Sequence, residues 1–495
     1  MIDHSIGARC VPSARNAWFK SKALRLVIAA LLCGASLAAQ ESQPATAPAQ
    51  VVTSPQQATE PQTQPPPPPL IPMPQAPQLP ASGPVHRLTV EDAEALAIKN
   101  NPQISVYRLL SLASNQVTRQ EKSAYYPTVS ANLTGVEANQ GSRIAAGGLN
   151  APRLLTRAAG GLVLSQLITD FGRTNNLVAT AALRAKAADM NAAATVDEIK
   201  LAVDQAFYNA LQDSVLVKVA EETVRARQLV SKQITTLYTN KLRSEVDVSF
   251  ADANLAQSQL LLLDAQNNYQ AALSTLSQVL GYPSQQQFEL VETEGEMKPP
   301  PDSASQLEDE AFSNRPEIAA QNYEAQAAQH YQKAERDLLL PKVEAAGVWG
   351  KVPYGSTLNG APAFTDNWYG GIGVNIGIPI FQGFLYPALS KEAGLRAQAA
   401  NEQLRDLKDK IANDVRSSWL NSITAYNRIS VSQQFVNQTN LALKLSQERY
   451  NLGLSSIVEL SQAQLQQTEA QIQYAAARYQ YRIAQSVLRF QVAAP

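Results

Sequence analysis

Long helical tracts dominate the pattern of hydrophobic and polar positions in this chain. The tracts from about Arg173 to Tyr238 and from about Ser244 to Leu280 are rich in Ala, Gln, Asn, Ser and Leu, and Gly and Pro are nearly absent from their interiors. At about 1.5 Å per residue the first tract would be about 100 Å long, far beyond an ordinary globular helix. Because small residues let helices approach closely, the pattern predicts a coiled-coil wall.

A period-two pattern occupies residues 371–380. Bulky apolar residues alternate there with small or polar ones: Ile372, Val374, Ile376, Ile378 and Ile380 alternate with Gly371, Gly373, Asn375, Gly377 and Pro379. This alternation is typical of a transmembrane barrel strand that faces lipid on one side and the lumen on the other. We therefore expect Ile372, Val374, Ile376 and Ile378 to face lipid, although a half-buried strand of a soluble sheet has the same alternation.

The pattern occurs twice along the chain. Pro102 and Pro127 recur 214 positions later as Pro316 and Pro341. Four further pairs are separated by 212 positions: Val203 and Val415, Tyr238 and Tyr450, Tyr269 and Tyr481, and Leu276 and Leu488. A nearly constant offset over such a length indicates two copies of one architecture.

Each copy is predicted to contain the same order of elements. In the first copy a short helix is capped by Thr89, and a second helix begins at Pro102 and stops before Pro127. Strands are predicted from Thr128 to about Gly135 and from about Ala159 to Ile168, ahead of the long helices. Two copies supply only four strands, whereas a closed membrane barrel needs about eight or more, so several identical chains must contribute to one barrel.

Composition narrows the class of protein. The net charge is -1 and 17% of residues are charged, which argues against a nucleic-acid partner. Hydrophobic residues make up 45% of the chain, but no apolar run of about 18 residues lies outside the N-terminus, so no ordinary transmembrane helix is predicted. If the chain spans a membrane, it must do so with strands in a closed barrel.

The N-terminus is predicted to be a signal peptide, residues 1–39. A positively charged leader precedes a short apolar run from Leu26 to Leu37, and small residues near Ala38 fit a cleavage site. A membrane anchor and lipidation at Cys33 are the alternatives. Both cysteines, Cys10 and Cys33, lie in this segment, so the mature chain would have no disulfide or cysteine metal site.

Residues 40–86 are predicted to be a disordered linker. They are mainly Pro, Gln, Ala and Thr, with an unbroken proline run from Pro65 to Pro69. Such a segment cannot bury a core and favours an extended, polyproline-type tether. It is either a spacer that spans the cell wall or a leader without a specific role.

Nothing in the sequence predicts an enzyme, a metal site or a cofactor. His4, His86 and His330 are scattered along the chain and do not form a general-base or metal-ligating pattern. No nucleophile elbow, phosphate loop or paired-histidine motif is present.

Two short motifs resemble a known family. Ser165–Arg173 (SQLITDFGR) and Ile378–Gly383 (IPIFQG) are similar to the strand-to-helix turns of the TolC-type outer membrane efflux protein family, the outer membrane factors. With the duplication, two strands per copy and very long helices, the resemblance covers about residues 87 to 495. It implies a first efflux repeat at 87–298 and a second at 299–495.

The resemblance implies an α+β membrane protein built from a duplicated unit of two transmembrane strands plus long coiled-coil helices. It implies a homotrimer whose twelve-stranded barrel lies in outer-membrane lipid and continues as a periplasmic α-helical tunnel. Its partners would be a periplasmic adaptor (membrane fusion protein) and an inner-membrane pump. The expected function is the passive exit duct of a tripartite efflux or type I secretion system. The alternative is a non-conducting trimeric coiled-coil envelope spacer with a β-barrel anchor.

The resemblance also suggests where an adaptor docks. Arg449–Ser456 (RYNLGLSS) is similar to the family's tip motif, in which two helices turn at the periplasmic entrance. Gly453 breaks the helical pattern there. The expected docking residues are Leu452, Gly453, Leu454 and Ser455, with Lys241 and Leu242 in the equivalent first turn, where Lys241 replaces the usual glycine. A plain helix-hairpin turn is the alternative.

The entrance gate can be carried over only in part. Asp247 and Tyr450 match gate positions of the family, and Glu459 matches an acidic position that rings the pore and would favour cations. A solvated helix face explains Glu459 equally well. The family's gate arginine, a second acid and a hydroxyl partner are replaced by Ser455, Gln462 and Val246, so the gate is expected to be wired differently.

Overall fold

The computed structural model describes residues 86–137, 157–292, 297–355, 357–358, 361–362 and 368–493. All of these residues belong to one unit, Pro72–Pro495. The predicted signal peptide at 1–39, with Cys10 and Cys33, and residues 40–85 of the predicted linker lie outside the described residues.

The first half follows the predicted order of elements. In chain order it contains His86–Leu88 (β1), Val90–Asn100 (α1), Pro102–Lys122 (α2), the 3-10 turn Ser123–Tyr125, Thr128–Val136 (β2), Arg157–Thr169 (β3), Arg173–Thr239 (α3) and Glu245–Val279 (α4). Asn101 caps α2 by accepting a hydrogen bond from the Gln103 amide at 2.9 Å, and Pro102 fills the first helical position, where no N–H is needed.

The short strand Phe288–Leu290 (β4) follows α4 and pairs in parallel with β1. The second half then repeats the order of the helices and long strands. It contains Ala304–Asn314 (α5), Pro316–Arg336 (α6), the 3-10 turn Asp337–Leu339, Lys342–Gly355 (β5), Trp368–Gly377 (β8), Leu385–Asn451 (α7) and Ile457–Val492 (α8), with the short strands Thr357–Leu358 (β6) and Ala361–Pro362 (β7) between β5 and β8. Helices α3 and α7 each have 67 residues, which corresponds to about 100 Å. The predicted duplication and helix lengths are confirmed.

The main sheet has four antiparallel strands in the order β2-β3-β5-β8. Within the first half Thr128 lies opposite Ser165, and within the second half Lys342 lies opposite Gly377. These pairs are related by the same offsets of 214 and 212 positions that the sequence displays. The sheet therefore obeys the duplication residue by residue, with β3 and β5 joining the two halves.

The two faces of the sheet differ in chemistry. Leu133, Leu162, Leu164, Trp349, Trp368, Ile372, Val374 and Ile376 share one face. The other face is mainly small or polar and has Ser130, Asn132, Thr134, Ser165 and Asn375 with Gly161, Gly371 and Gly373, together with the apolar pair Val163 and Val348. Trp349 and Trp368 stack at 5.1 Å on the apolar face, and Ile372 is 92% exposed there. Described helices therefore leave this face uncovered.

The predicted second strand of the second copy was too long. Strand β8 ends at Gly377, so Ile378 lies one residue beyond it, contrary to its prediction as a strand residue. Gly377 pairs with Lys342, the first residue of β5, and no further partner residue is available in the described sheet. Pro379 also lacks the N–H that a ladder requires.

The long helices pack as two antiparallel hairpins. Helix α4 packs on α3 and α8 packs on α7, while α3 and α8 form the seam between the hairpins. Helix α6 lies between α3 and α7, whereas α2 packs on α3 alone among the long and medium helices described. None of the helices in the described part is long and apolar enough to cross a membrane.

One charged contact differs between the halves. Helix α1 packs on α3, and the pKa of Glu94 is raised there to about 7. Burial is the largest cause, the hydrogen bond to Asp204 and the charge of Asp204 add to it, and the charges of Arg489 and Lys200 oppose it. Asp204 is buried, and its Oδ1 has no hydrogen-bond partner in the described part of the chain. At the equivalent positions of the second half, Arg416 donates to Glu308 at 2.8 Å.

Candidate functional site

The tip between α7 and α8 is a tight, hydrogen-bonded turn. The Gly453 amide donates to the Tyr450 carbonyl at 3.0 Å, and the Leu454 amide donates to the Arg449 carbonyl at 2.8 Å. Gly453 has φ +75°, a left-handed conformation that glycine adopts without steric cost. This pair of bonds is the Schellman arrangement that satisfies the last carbonyls of a helix.

The tip between α3 and α4 has the same backbone. The Lys241 amide donates to Tyr238 at 2.8 Å and the Leu242 amide donates to Leu237 at 2.9 Å. Lys241 has φ +60°. A residue with a Cβ pays roughly 1–2 kcal/mol for this conformation, so the lysine is a strained replacement for glycine in an otherwise identical turn.

Both turns start the next helix in the same way. Ser244 Oγ accepts from the Asp247 amide at 3.3 Å, and Asp247 Oδ2 accepts in return from the Ser244 amide at 3.2 Å. Ser456 Oγ accepts from the Glu459 amide at 3.4 Å, while the Glu459 carboxylate lies 3.6 Å from Arg449 Nε. The two predicted gate acids thus occupy equivalent capping positions, where a negative charge stabilises the helix N-terminus.

Exposed leucines project from both turns, but not equally. Leu452 and Leu454 flank Gly453 and are both largely exposed. In the first turn Leu242 is exposed, but the position equivalent to Leu452 is Asn240. The second turn therefore has the larger apolar surface, which is the property expected of a docking site.

Tyr450 is buried beneath the second turn. Its side chain is 3% exposed and packs with Ile234, Ala251, Ile457 and Leu460. Burial raises the pKa of the Tyr450 hydroxyl, and the Asp247 charge raises it further while Arg243 opposes this. The phenolic oxygen has no hydrogen-bond partner among the described residues.

Arg243 links the two turns. Its Nη2 donates to the Tyr450 carbonyl at 2.7 Å, and its guanidinium lies 4.2 Å from the centre of the Tyr450 ring. Arg243 thus contacts Tyr450, and the charge of Asp247 acts on the same tyrosine, whereas Glu459 pairs with Arg449. Arg243 was not among the residues predicted from the sequence. Its equivalent in the second copy is Ser455, and this difference between the copies could have identified it.

Ser455 makes no comparable contact. Its hydroxyl is buried without a hydrogen-bond partner in the described ranges. The one cation over Tyr450 thus comes from the first turn rather than from the second. Within the same ranges, no three His, Cys, Asp or Glu side chains come together as metal ligands would.

The sequence model for the outer membrane efflux protein family matches this chain twice, at residues 95–282 and 307–493. Together the two matches cover well over half of the chain. The chain belongs to the outer membrane efflux protein family.

Known proteins are similar to this chain over most of its length. It is 25% identical over 386 residues to outer membrane protein TolC of Vibrio cholerae serotype O1, which covers 74% of this chain and 82% of that relative. A solved membrane protein from Pseudomonas aeruginosa has a TM-score of 0.70 at 19% identity, covering 81% of this chain and 93% of its own. The Campylobacter jejuni CmeC outer membrane channel has a TM-score of 0.69 at 16% identity, covering 81% and 85%.

These comparisons establish the fold and the class. The solved structures share the fold of outer-membrane channels, and the family is one of efflux channels rather than enzymes. As a member of the outer membrane efflux protein family, the chain is an outer-membrane protein.

Proposed function

We propose that this efflux-family chain forms the exit duct of a tripartite efflux or type I secretion system. Three copies form a twelve-stranded barrel in the outer membrane and an α-helical tunnel in the periplasm. The duct conducts passively between an inner-membrane pump, its periplasmic adaptor and the exterior. In this proposal residues 1–39 are the signal peptide, 40–86 the linker, 87–298 the first repeat and 299–495 the second.

The observation that carries this proposal is the pair of open edges on the four-stranded sheet. Strands β2 and β8 have no partner on their outer sides in the described sheet. An exposed edge is a template for another strand, and a closed barrel removes it. Inside the chain, β3 pairs with β5. The counterpart of β3 is β8 and the counterpart of β5 is β2, so β8 of one copy can pair in the same way with β2 of a second copy.

The duplication predicts the register of that contact. Val163 lies opposite Val348, and Leu164 lies opposite Gly347. Adding 212 to a β3 residue gives its counterpart in β8, and subtracting 214 from a β5 residue gives its counterpart in β2. The same register therefore sets Asn375 opposite Thr134 of the neighbouring copy, and Ile376 opposite Leu133 of that copy. Polar residues then face polar residues and apolar face apolar, so both faces of the sheet continue around the barrel.

The exposure of the helices also indicates that a second copy packs against β2 and α2. Ala320 of α6 is 4% exposed because α6 is packed by both α3 and α7. Its counterpart on α2, Val106, is 51% exposed, and Leu110 and Val117 are exposed beside it. A second copy's α7 would cover this apolar stripe of α2 as α7 covers α6 within the chain.

The remaining site assignments follow from this assembly. The aliphatic side chains Ile372, Val374 and Ile376, with Ile378 next to the strand end, face lipid. The turns at Leu452–Ser455 and Lys241–Leu242 dock the adaptor through their exposed leucines. Asp247, Tyr450 and Glu459 lie at the entrance, where Arg243 orders the first two.

A disulfide between strands tests the register. Asn375→Cys and Thr134→Cys in one chain, with Cys10 and Cys33 replaced by Ser, should form covalent trimers on oxidation. Directly opposed residues lie about 4.5–5.5 Å apart, which suits a disulfide. Within one chain the two positions are separated by at least three strand spacings, about 14 Å, and are also staggered along the strands, so an internal disulfide cannot form.

The matched control is Asn375→Cys with Ser130→Cys. Ser130 lies on the same face as Thr134 but about 13 Å further along the strand, so this pair should remain uncrosslinked. Trimers from the control pair, or dimers and open ladders from the test pair, would contradict the proposed closure. Insertion of the trimer into planar bilayers then separates a duct from a spacer, since a spacer passes no ions.

A further inference from the structure

A groove lies between α4 and α8 above the tips, with α3 as its floor. Its volume is about 530 Å³, which is within the range of sites for drug-sized ligands. Five of the fifteen side chains that line it are apolar: Phe250, Leu261, Val458, Leu465 and Ile472. The other ten are polar or charged, so the groove offers an amphipathic ligand both apolar contacts and hydrogen-bonding groups.

An unpaired cation lies at the floor of this groove. Arg227 of α3 is 8% exposed, and its Nη1 is buried without a hydrogen-bond partner among the described residues. No carboxylate of those residues lies within ion-pair distance of it. Burial lowers the pKa of Arg227 to about 10, so the guanidinium still carries its charge at neutral pH. A buried charge without a counter-ion is costly.

The duplicated architecture does not require this cation. The equivalent position in the second half is Thr439, which is also buried, and its hydroxyl donates to the Phe435 carbonyl at 2.9 Å. The same helix pairing therefore closes around a small, satisfied side chain. The arginine adds an unbalanced charge that packing alone does not explain.

Two grooves are lined by the same arginine. A second groove of about 310 Å³, on the α7 side of the α3–α8 seam, is also lined by Arg227. Thr223 and Thr468 line both grooves as well. Arg227 therefore lies between two grooves, and none of the described residues supplies it with an anion.

We propose that the α4–α8 groove binds a small amphipathic carboxylate, with the acid group paired to Arg227 and the apolar body between α4 and α8. The chemistry is that of an aromatic or branched aliphatic monoacid. A single cation matches a single carboxylate, and the Glu469 carboxylate on the same groove opposes ligands of higher negative charge.

The occupant is a small molecule rather than a helix of a partner protein. Asn254 donates to Ser461 at 2.8 Å and so bridges the α4 and α8 walls. A helix about 10–12 Å wide lying along the groove would have to displace this bridge. Gln257, Leu465 and Ile472 lie beyond the bridge from the tip and leave room for a compact acid next to Arg227.

The test uses the purified full chain in an amphipathic polymer, with equilibrium dialysis of 2-naphthoate and of its neutral analogue 2-naphthalenemethanol. The wild-type chain should bind the acid about tenfold or more tightly than the alcohol. Arg227→Met should abolish that preference, Arg227→Lys should retain part of it, and Leu465→Trp should weaken both probes by filling the groove.

Each variant must first be checked for folding by circular dichroism. Arg227→Met should melt no lower than the wild type, because it removes an unpaired buried charge. Equal affinity for the acid and the alcohol, an unchanged preference in Arg227→Met, or full binding in Leu465→Trp would each overturn the proposal. So would the absence of small-molecule binding together with capture of a polypeptide by a photoreactive group at Gln462.

Discussion

The two halves of the chain share a backbone but not a distribution of charge. Glu94 faces Asp204 in the first half, whereas Glu308 is paired with Arg416 at the equivalent place in the second. The acid pair needs a proton to be stable, and the ion pair does not. The two copies therefore share the same helix packing, but the charged residues at this contact differ between them.

The two tips also share a backbone conformation but differ in their side-chain contacts. Lys241 and Gly453 adopt the same left-handed conformation, and both turns make the same two carbonyl bonds. Arg243, however, binds across to Tyr450, and its counterpart Ser455 binds nothing in the described part. Repeated capping signals fix the turn, so side chains around it can diverge. Four experiments test these differences between the halves.

The largest effect is expected from a charge on the more apolar tip. Leu454→Asp should reduce the amount of periplasmic adaptor that copurifies with the chain by about a hundredfold, because a carboxylate would be buried in an apolar contact. Leu242→Asp should reduce it less, since only one leucine flanks Lys241. Leu260→Asp, an exposed leucine of α4 away from the tips, is the control. Equal copurification in all three variants would contradict tip docking.

Removing the cation that joins the tips should have the next largest effect. Arg243→Ala loses a charge-assisted hydrogen bond and a cation–π contact, together about 2 kcal/mol of local stability. Hydrogen exchange of the Gly453 and Leu454 amides should become about thirtyfold faster. Ser455→Ala should leave both amides unchanged because its hydroxyl has no partner to lose. Similar rates in both variants would show that the contact does not stabilise the turn.

The acid pair predicts a dependence on pH that the ion pair lacks. Because the folded-state pKa of Glu94 is raised to about 7, the folded chain binds this proton more tightly than the unfolded chain. Its contribution is complete below about pH 4.5 and is lost as the pH rises through 7. After allowance for partial exposure, we expect a loss of about 1–2 kcal/mol between pH 5 and 8.

Glu94→Gln tests this sign. The amide can donate to Asp204 without a titrating proton, so the fall in melting temperature between pH 5 and 8 should shrink by about 1–2 °C for a chain of this length. Glu308→Gln, at the equivalent position, should lower the melting temperature slightly at both pH values and leave the slope intact. If the melting temperature of Glu94→Gln depends on pH as strongly as that of the wild type, the titrating group is not Glu94.

The smallest effect is expected from exchanging the turn residues. Lys241→Gly should stabilise the first tip by about 1 kcal/mol, since glycine adopts positive φ without a Cβ clash. Gly453→Lys should destabilise the second tip by a similar amount. The Leu242 and Leu454 amides, which make the outer bonds of the turns, are the reporters in hydrogen exchange. If neither substitution changes its amide, the turns are held by tertiary contacts alone.

Sequence reasoning predicted the features that repeat. The proline and aromatic offsets gave the duplication, and α3 ends at Thr239, one residue from the predicted Tyr238. Regular periodicity over tens of residues leaves little ambiguity about an element of that length. The end of β8 was wrong because alternation continues through Ile380, while pairing stops where β5 begins at Lys342. Alternation is a property of the local sequence, whereas a strand ends where its hydrogen-bonding partner strand ends.

The contacts that distinguish the tips could not be predicted in the same way. Arg243 and Tyr450 lie 207 positions apart, and the packing of the α3–α4 hairpin against the α7–α8 hairpin brings them together. Tyr450 was predicted as an entrance residue from a motif, but a motif carries no information about burial. The unpaired state of Arg227 is likewise a property of three helices at once.

The open edges of the sheet also have a genetic consequence. In the proposed ring each copy joins one neighbour through β2 and the other through β8, and these are different surfaces. A chain altered only at β8 keeps an intact β2, so it enters rings with unaltered chains and leaves them unclosed. In cells that carry both alleles, such an alteration should be dominant, whereas a core substitution that prevents folding should be recessive.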